Sequence, residues 1–160
     1  MFNRRFVSLA LVALAMSGCA SVPTPVSIAD NIAKNPSLTT LNTLLNQAGL
    51  SATLQGSGPF TVFAPSDEAF KAVPAKTMDD LAKHSDKLKD VLTFHVIAGK
   101  LNAADVKNSS VKTLNGAEVA LSKAGEFVTI DAAVVQSADI QATNGVIHII
   151  DTVLIPPPKK

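Results

Sequence analysis

Residues 58–70 constrain this chain more than any other stretch, because a strand, a sharp turn and a helix start are packed into them. Phe60, Thr61, Val62 and Phe63 are β-branched or aromatic and suit a pleated, buried surface. Gly58 and Pro59 punctuate the start, and Pro65 has no N–H to give a ladder, so pairing is expected to stop there. Ser66 then offers a hydroxyl to an orphan amide of a following helix. Asp67 and Glu68 fall in its first turn, at the positive end of the dipole. Phe70 folds back onto apolar surface. Local propensity and turn chemistry agree, which marks a well-specified core element. No nucleophile–base pair occurs in it, so this stretch reads as scaffold.

Upstream, the helical period dominates. Ser27 caps a short helix with Ile28 and Ile32 on one face, ending near Asn35. Leu38, Leu41, Leu44, Leu45 and Ala48 follow with 3.6 spacing until Gly49. One more turn is expected over 50–54. Beyond the junction, Pro74 starts a linker, and Thr77 or Met78 opens a helix that fades by His84. A further helix covers 86–93. Residues 94–97 turn toward strand composition, and Asn102 caps a small helix over 103–106.

From Val111 the period changes to two. Residues 111–114 and 117–121 flank Asn115-Gly116, a pair suited to the positive φ angles of a type I′ hairpin. Strands follow at 127–131, 134–136 and 140–142, and the longest apolar run is 145–154, closed by three prolines. Helices first and strands later predict an α+β fold in a single domain. With 160 residues and 47% apolar content, the chain can bury a self-sufficient core.

The N-terminus reads as an export leader over residues 1–18. Arg4 and Arg5 precede an apolar run over 6–15, too short to span a bilayer but suited to a signal peptide. Met16-Ser17-Gly18-Cys19 resembles a bacterial lipobox, with Met16 standing where Leu is usual. Cys19 is then the lipidation site, and residues 19–26 are a tether. Ala20 rather than Asp after the cysteine resembles the sorting pattern for the outer membrane. The expected location is an exported outer-membrane lipoprotein, facing the periplasm or surface-exposed. The rival is an ordinary signal peptide with an incidental cysteine. Cys19 is the only cysteine, so no intramolecular disulfide can form.

Removing Arg4 and Arg5 from the 14 basic residues leaves 12, all Lys, against 13 acidic ones. A mature chain without Arg lacks the bidentate fork that recognises bases and phosphates. Trp and Tyr are absent, so stacking platforms are poorly supplied. No nucleic-acid partner is expected.

Three stretches stand in order: 58–70, 94–101 and 138–157. Together they resemble the fasciclin-type adhesion domain (FAS1, or βig-h3 repeat), in a small bacterial single-domain form spanning 27–157. The first is similar to the family's first homology box and the third to its second. Phe94-His95 is similar to the Tyr-His motif between them, with Phe94 lacking the usual hydroxyl. The resemblance implies a wedge-shaped β-structure with a bundle of short helices. Together with the leader, which supplies the lipid anchor, it points to a non-enzymatic, monomeric domain that binds a protein or glycan on the cell surface, matrix or envelope. A second reading is an envelope-housekeeping module with a periplasmic protein or glycan partner and no adhesion role.

In animal members an Asp-Ile pair before the Asn-Gly of the second box is implicated in integrin recognition. Asp139 and Ile140 match it and, with Phe94 and His95, are the candidates for partner contact. The plainer reading makes Asp139 an edge-strand residue beside a buried Ile140. Phe63, Pro65, Ser66, Asp67, Asn144, Gly145, His148 and Asp151 are read as structural, with Asn144-Gly145 forming a turn. His95 and His148 lie on apolar runs and are expected to be core histidines that donate to a carbonyl or carboxylate. A zinc pair would need further close ligands, and none is evident. Ser66, His95 and Asp151 could nominally form a triad, but no Gly-x-Ser-x-Gly elbow exists. No catalytic residue, metal or cofactor is expected.

Overall fold

The computed structural model describes residues 26–157. The leader, Cys19 and the tether up to residue 25 lie outside the described residues.

Three helices open the fold: α1 (Ile28–Lys34), α2 (Thr39–Gln47) and α3 (Ser51–Leu54). Strand β1 (Phe60–Pro65) leads into α4 (Asp67–Ala72), α5 (Ala75–Lys83) and α6 (Ser85–Phe94). The rest is β2 (Val96–Ala98), β3 (Ser109–Lys112), β4 (Glu118–Ala124), β5 (Phe127–Ile130), β6 (Ala133–Ala142) and β7 (Gly145–Ile150).

The strands form one sheet in the order β2-β1-β7-β6-β5-β4-β3. β1 and β7 run parallel, and every other neighbouring pair is antiparallel. The sheet curls until its two edges meet. Ile97 bridges Thr113, and the Leu114 N–H donates to the Val96 carbonyl at 2.8 Å.

Curling splits the apolar residues into two cores. Helical Ile28, Ile32, Leu41 and Leu92 pack on the outer face of the sheet with Val62, Ala64, Ile147 and Ile149. Phe63, Phe94, Ile97, Leu121, Ile130 and Ile150 fill the inside of the curl. β1 and β7 lie between the two, so both of their faces are covered. That explains why they read as continuous apolar runs while β4 alternates.

Several expectations are corrected. Pro74 occupies the N-cap position of α5, which begins at Ala75, so there is no linker there; proline's fixed φ suits a helix entrance. Phe94 ends α6 and His95 is its C-cap, so the switch to strand comes only at Val96. Residues 103–105 make a hydrogen-bonded turn instead of a small helix. The β3–β4 hairpin is not type I′, since Asn115 has no positive φ. Gly116 N–H donates to Thr113 O and Thr113 N–H to Ala117 O, giving a three-residue loop with Gly116 alone at φ +91°. Asn115 is thereby free to donate to the Asp90 carbonyl of α6. The two short late strands are one strand, β6, kinked by irregularities between Val135 and Ile140. β7 stops at Ile150, where Asp151 bends the chain.

Candidate functional site

Asn144 ties the two homology stretches together. Its Oδ1 accepts the Ile28 N–H at 2.9 Å, at the start of α1. Its Nδ2 donates to the Leu54 carbonyl and, at 2.8 Å, to the Gly56 carbonyl. Its own carbonyl accepts the Phe60 N–H at 3.0 Å, which starts the parallel β1–β7 ladder. Asn144 thus does more than shape a turn, because its side chain holds the start of α1 and the 54–56 segment while its carbonyl starts the β1–β7 ladder. Gly145 follows at φ +152°, and a Cβ there would sit 1.8 Å from the Phe60 carbonyl oxygen. Only glycine allows so close a strand approach.

Further along the same strands, His148 is buried and stacks on Phe63, with ring centroids 5.2 Å apart. Its Nδ1 accepts the Asp139 N–H at 3.2 Å, so the proton sits on Nε2 and is donated to the Leu101 carbonyl at 2.8 Å. Burial pushes its pKa down, against the Leu101 bond and the Asp139 carboxylate.

Asp139 has φ +58° and occupies the irregular part of β6. β6 is an interior strand between β7 and β5, not an edge. The Asp139 Oδ1 accepts the Ala103 N–H at 2.8 Å, anchoring the 101–105 turn. Lys123 holds the other side of that turn through the Ala103 and Ala104 carbonyls. Ile140 is half-buried against the helical core, while Asp139 and Gln141 stay exposed.

Phe94 and His95 are only 3% and 2% exposed, so burial takes both out of direct reach of a partner. His95 joins α6 to the C-terminal segment. Nε2 accepts the Leu154 N–H at 3.0 Å, so Nδ1 carries the proton and donates to the Val91 carbonyl at 2.7 Å. Burial pushes its pKa down to about 4, although the Val91 bond opposes this.

Ser66 accepts the Ala69 N–H and caps α4. Pairing continues through Pro65, since Ser66 N–H donates to Ile150 O, a bond that the proline nitrogen is not asked to make. Asp67 turns away from its own helix: Oδ1 accepts the Thr40 N–H at 2.8 Å and Oδ2 the Thr39 hydroxyl at 2.6 Å. The carboxylate therefore caps α2, whose own N-cap Leu38 has no side chain for the task. Burial would raise its pKa, but these hydrogen bonds outweigh it and hold the carboxyl below its ordinary value. Asp151 Oδ1 accepts the Val134 N–H at 2.9 Å.

Ser66, His95 and Asp151 therefore do not assemble. Each hydrogen-bonds to a different stretch of backbone, and both His95 nitrogens are occupied by main-chain atoms. Among the described residues, no group of three or more His, Cys, Asp or Glu is placed to hold a metal ion. No buried side-chain polar atom among them lacks a partner.

Asp131 and Thr61 did not stand out in the sequence. Asp131, at φ +49°, accepts the Ala120 N–H, and buried Thr61 links Gly99 to Leu101. The sequence placed Asp131 at the end of a strand over 127–131, whereas β5 stops at Ile130 and leaves Asp131 in the turn.

A curled sheet with one parallel pair, a helical layer on its outer face and polar side chains spent on backbone define a scaffold domain of the α+β class. The fold resembles that of a FAS1 domain pair from the insect cell adhesion molecule Fasciclin I, with a TM-score of 0.66 at 17% identity, over 82% of this chain and 51% of that one. The chain belongs to the fasciclin domain family, whose profile matches residues 36–156. It is 40% identical over 140 residues to protein sll1483 of Synechocystis, covering 86% of this chain and 78% of the relative. It is 34% identical over 135 residues to the cell surface glycolipoprotein MPB83 of Mycobacterium bovis, covering 81% of this chain and 60% of that protein.

Proposed function

We propose that the protein is an exported, lipid-anchored, non-enzymatic interaction domain that binds a protein or glycan partner on a cell surface, matrix or envelope. The observation that carries this reading is the fasciclin match, which takes in every element from α2 to β7. Two similar proteins bear names that point the same way, one a cell adhesion molecule and the other a cell surface glycolipoprotein. The histidines and the capping carboxylates are committed to hydrogen bonds within the fold, Asp67 to the Thr39 hydroxyl and Thr40 N–H and the others to main-chain groups, which supports a binding role. Contact then falls to exposed residues, with Asp139 and its neighbour Gln141 the leading candidates.

The test immobilises leaderless Cys19→Ser protein and measures binding of whole bacteria, host cells and envelope extract, beside Asp139→Asn, which keeps the acceptor for Ala103 N–H, and Gln141→Ala. Adhesion predicts cell binding that weakens in a variant whose melting curve is unchanged. Binding to envelope extract alone, with the protein shielded from protease added to whole cells, would replace adhesion by a periplasmic housekeeping role. Absence of binding to all three surfaces would overturn the interaction reading.

A further inference from the structure

The chain contains two Asn-Gly pairs, Asn115-Gly116 and Asn144-Gly145, and the fold treats them in opposite ways. An asparagine before glycine is open to attack on its own side chain. The next main-chain nitrogen can close a five-membered ring on the side-chain amide carbon, and glycine carries no Cβ to hinder the approach. How firmly the fold holds the two groups apart decides whether they react.

Asn144 is locked. Its amide nitrogen donates to the Leu54 and Gly56 carbonyls, and its oxygen accepts the Ile28 N–H. Gly145 is buried at the head of β7 against the Phe60 carbonyl and pairs with Ala142. Bringing the Gly145 nitrogen onto the Asn144 amide carbon would break these bonds and the start of the parallel ladder together.

Asn115 is held more lightly. It is half-buried in the loop between β3 and β4, where its amide nitrogen donates to the Asp90 carbonyl at 3.1 Å. Gly116 is exposed, and a Cβ on it would meet nothing within 4 Å, so the glycine has room to turn. Its N–H donates to the Thr113 carbonyl at 2.9 Å, and that turn bond must open first. The bond lies beside Leu114, where the sheet closes through one bridge and one hydrogen bond, so the opening disturbs little else.

We infer that Asn115 is a self-modification site, at which the loop converts the asparagine amide to a carboxylate while Asn144 stays intact. The Gly116 nitrogen gives its proton to hydroxide and attacks Asn115 Cγ. The new N–Cγ bond closes a succinimide ring and the Cγ–Nδ2 bond breaks. Nδ2 leaves as ammonia, taking a proton from water and returning the hydroxide. Water then adds to one of the two ring carbonyls. Opening at Cγ leaves aspartate, and opening at the main-chain carbonyl leaves isoaspartate, whose main chain runs through Cγ. Either product replaces an N–H donor by an acceptor-only carboxylate, which the Asp90 carbonyl cannot bind. The β3–β4 loop is thereby released from α6. Asn115 also lines a depression with Asp80, Lys87 and Asp90, so the same step makes that surface more acidic.

The experiment incubates the purified full chain at 37 °C and pH 8.5, folded and in urea, and follows both Asn-Gly peptides by mass spectrometry. In the folded protein the Asn115 peptide is expected to gain one mass unit at least tenfold faster than the Asn144 peptide. It should also become a substrate for an isoaspartate-specific methyltransferase. In urea the two peptides should react within about threefold of each other. No gain at Asn115 in the folded protein, or equal gain at both sites, would overturn the proposal. A ratio in urea as large as the folded one would do the same, because the discrimination would then not come from the fold. Asn115→Asp reports the consequence: exchange of the Leu114 amide should rise at least threefold while that of Val62 is unchanged. Unaltered exchange at Leu114 would overturn the release of the loop.

Discussion

At the residue scale, the polar groups of this domain act as substitute backbone. Asp131, Asp139 and Asp151 each stand where the chain leaves regular pairing, and each gives a carboxylate oxygen to a main-chain N–H. His95 and His148 go further, since each is neutral, donating at one nitrogen and accepting at the other. Replacing His95 by Leu roughly keeps the volume but strands the Leu154 N–H and the Val91 carbonyl. Two buried unsatisfied groups at about 1–3 kcal/mol each predict a loss of roughly 3 kcal/mol or more in urea unfolding. A loss below about 1 kcal/mol would mean that water or a shifted backbone satisfies them. The same histidine fixes a pH dependence. Its pKa is lowered from 6.5 to about 4 in the fold, so between those values the unfolded chain binds more protons. Stability is then full above about pH 6.5 and falls as pH drops toward 4, by about 3 kcal/mol for this group. Lowered His148 works in the same direction. Asp67, also lowered, keeps its contribution above 3.8 and loses it only as pH falls through its still lower folded value. Urea midpoints at pH 7.5, 5.5 and 4.5 should decline stepwise, and the decline should shrink in His95→Gln. A flat profile would show that the histidines are not held neutral.

At the element scale, two polar side chains connect elements far apart in sequence. From the β6–β7 turn, the Asn144 side chain binds the start of α1, the end of α3 and Gly56 at once. Asn144→Ala removes all three side-chain bonds and is expected to cost about 2–4 kcal/mol, at roughly 1 kcal/mol per bond plus the penalty for groups left buried. Asn144→Asp can replace only the Oδ1 bond and should be nearly as damaging. If either variant unfolded at the wild-type urea midpoint, the knot would be incidental. Asp67 links α4 to the start of α2. Asp67→Ala should therefore cost about 1 kcal/mol, the usual value of a lost cap. Amide protection should fall at Thr40 in α2 while α4 keeps its Ser66 cap, a pattern that exchange measurements by NMR can read.

At the scale of the whole molecule, the closure of the sheet is its weakest join. β1 and β7 pair over six residues, whereas β2 and β3 meet through one bridge and the Leu114–Val96 bond. Local opening follows contact density, so the Leu114 amide should exchange far faster than those of Val62 and Ile147. Equal protection would mean that the curl opens only with global unfolding. Much of this architecture was legible in the residues. Ser27 and Ser66 as caps, the 3.6 period of α2, the period of two in β4, and helices preceding most strands all follow from interactions within a few positions. So did the burial of β1 and β7, because a strand covered on both faces must be apolar throughout. The partners of the polar side chains were not legible. Asp67 lay in the first turn of one helix yet serves another, Asn144 reaches back some 90 residues, and Asp139 sits inside the sheet rather than at its edge. His95 was expected in the core and lies there, but Phe94 stood out as a contact residue, and only the curl of the sheet places it in the interior. Caps and periodicities are local, and the sequence by itself determined them. A hydrogen bond between distant segments is chosen by which chain ends the packed cores bring within 3 Å, and that only the tertiary structure decided.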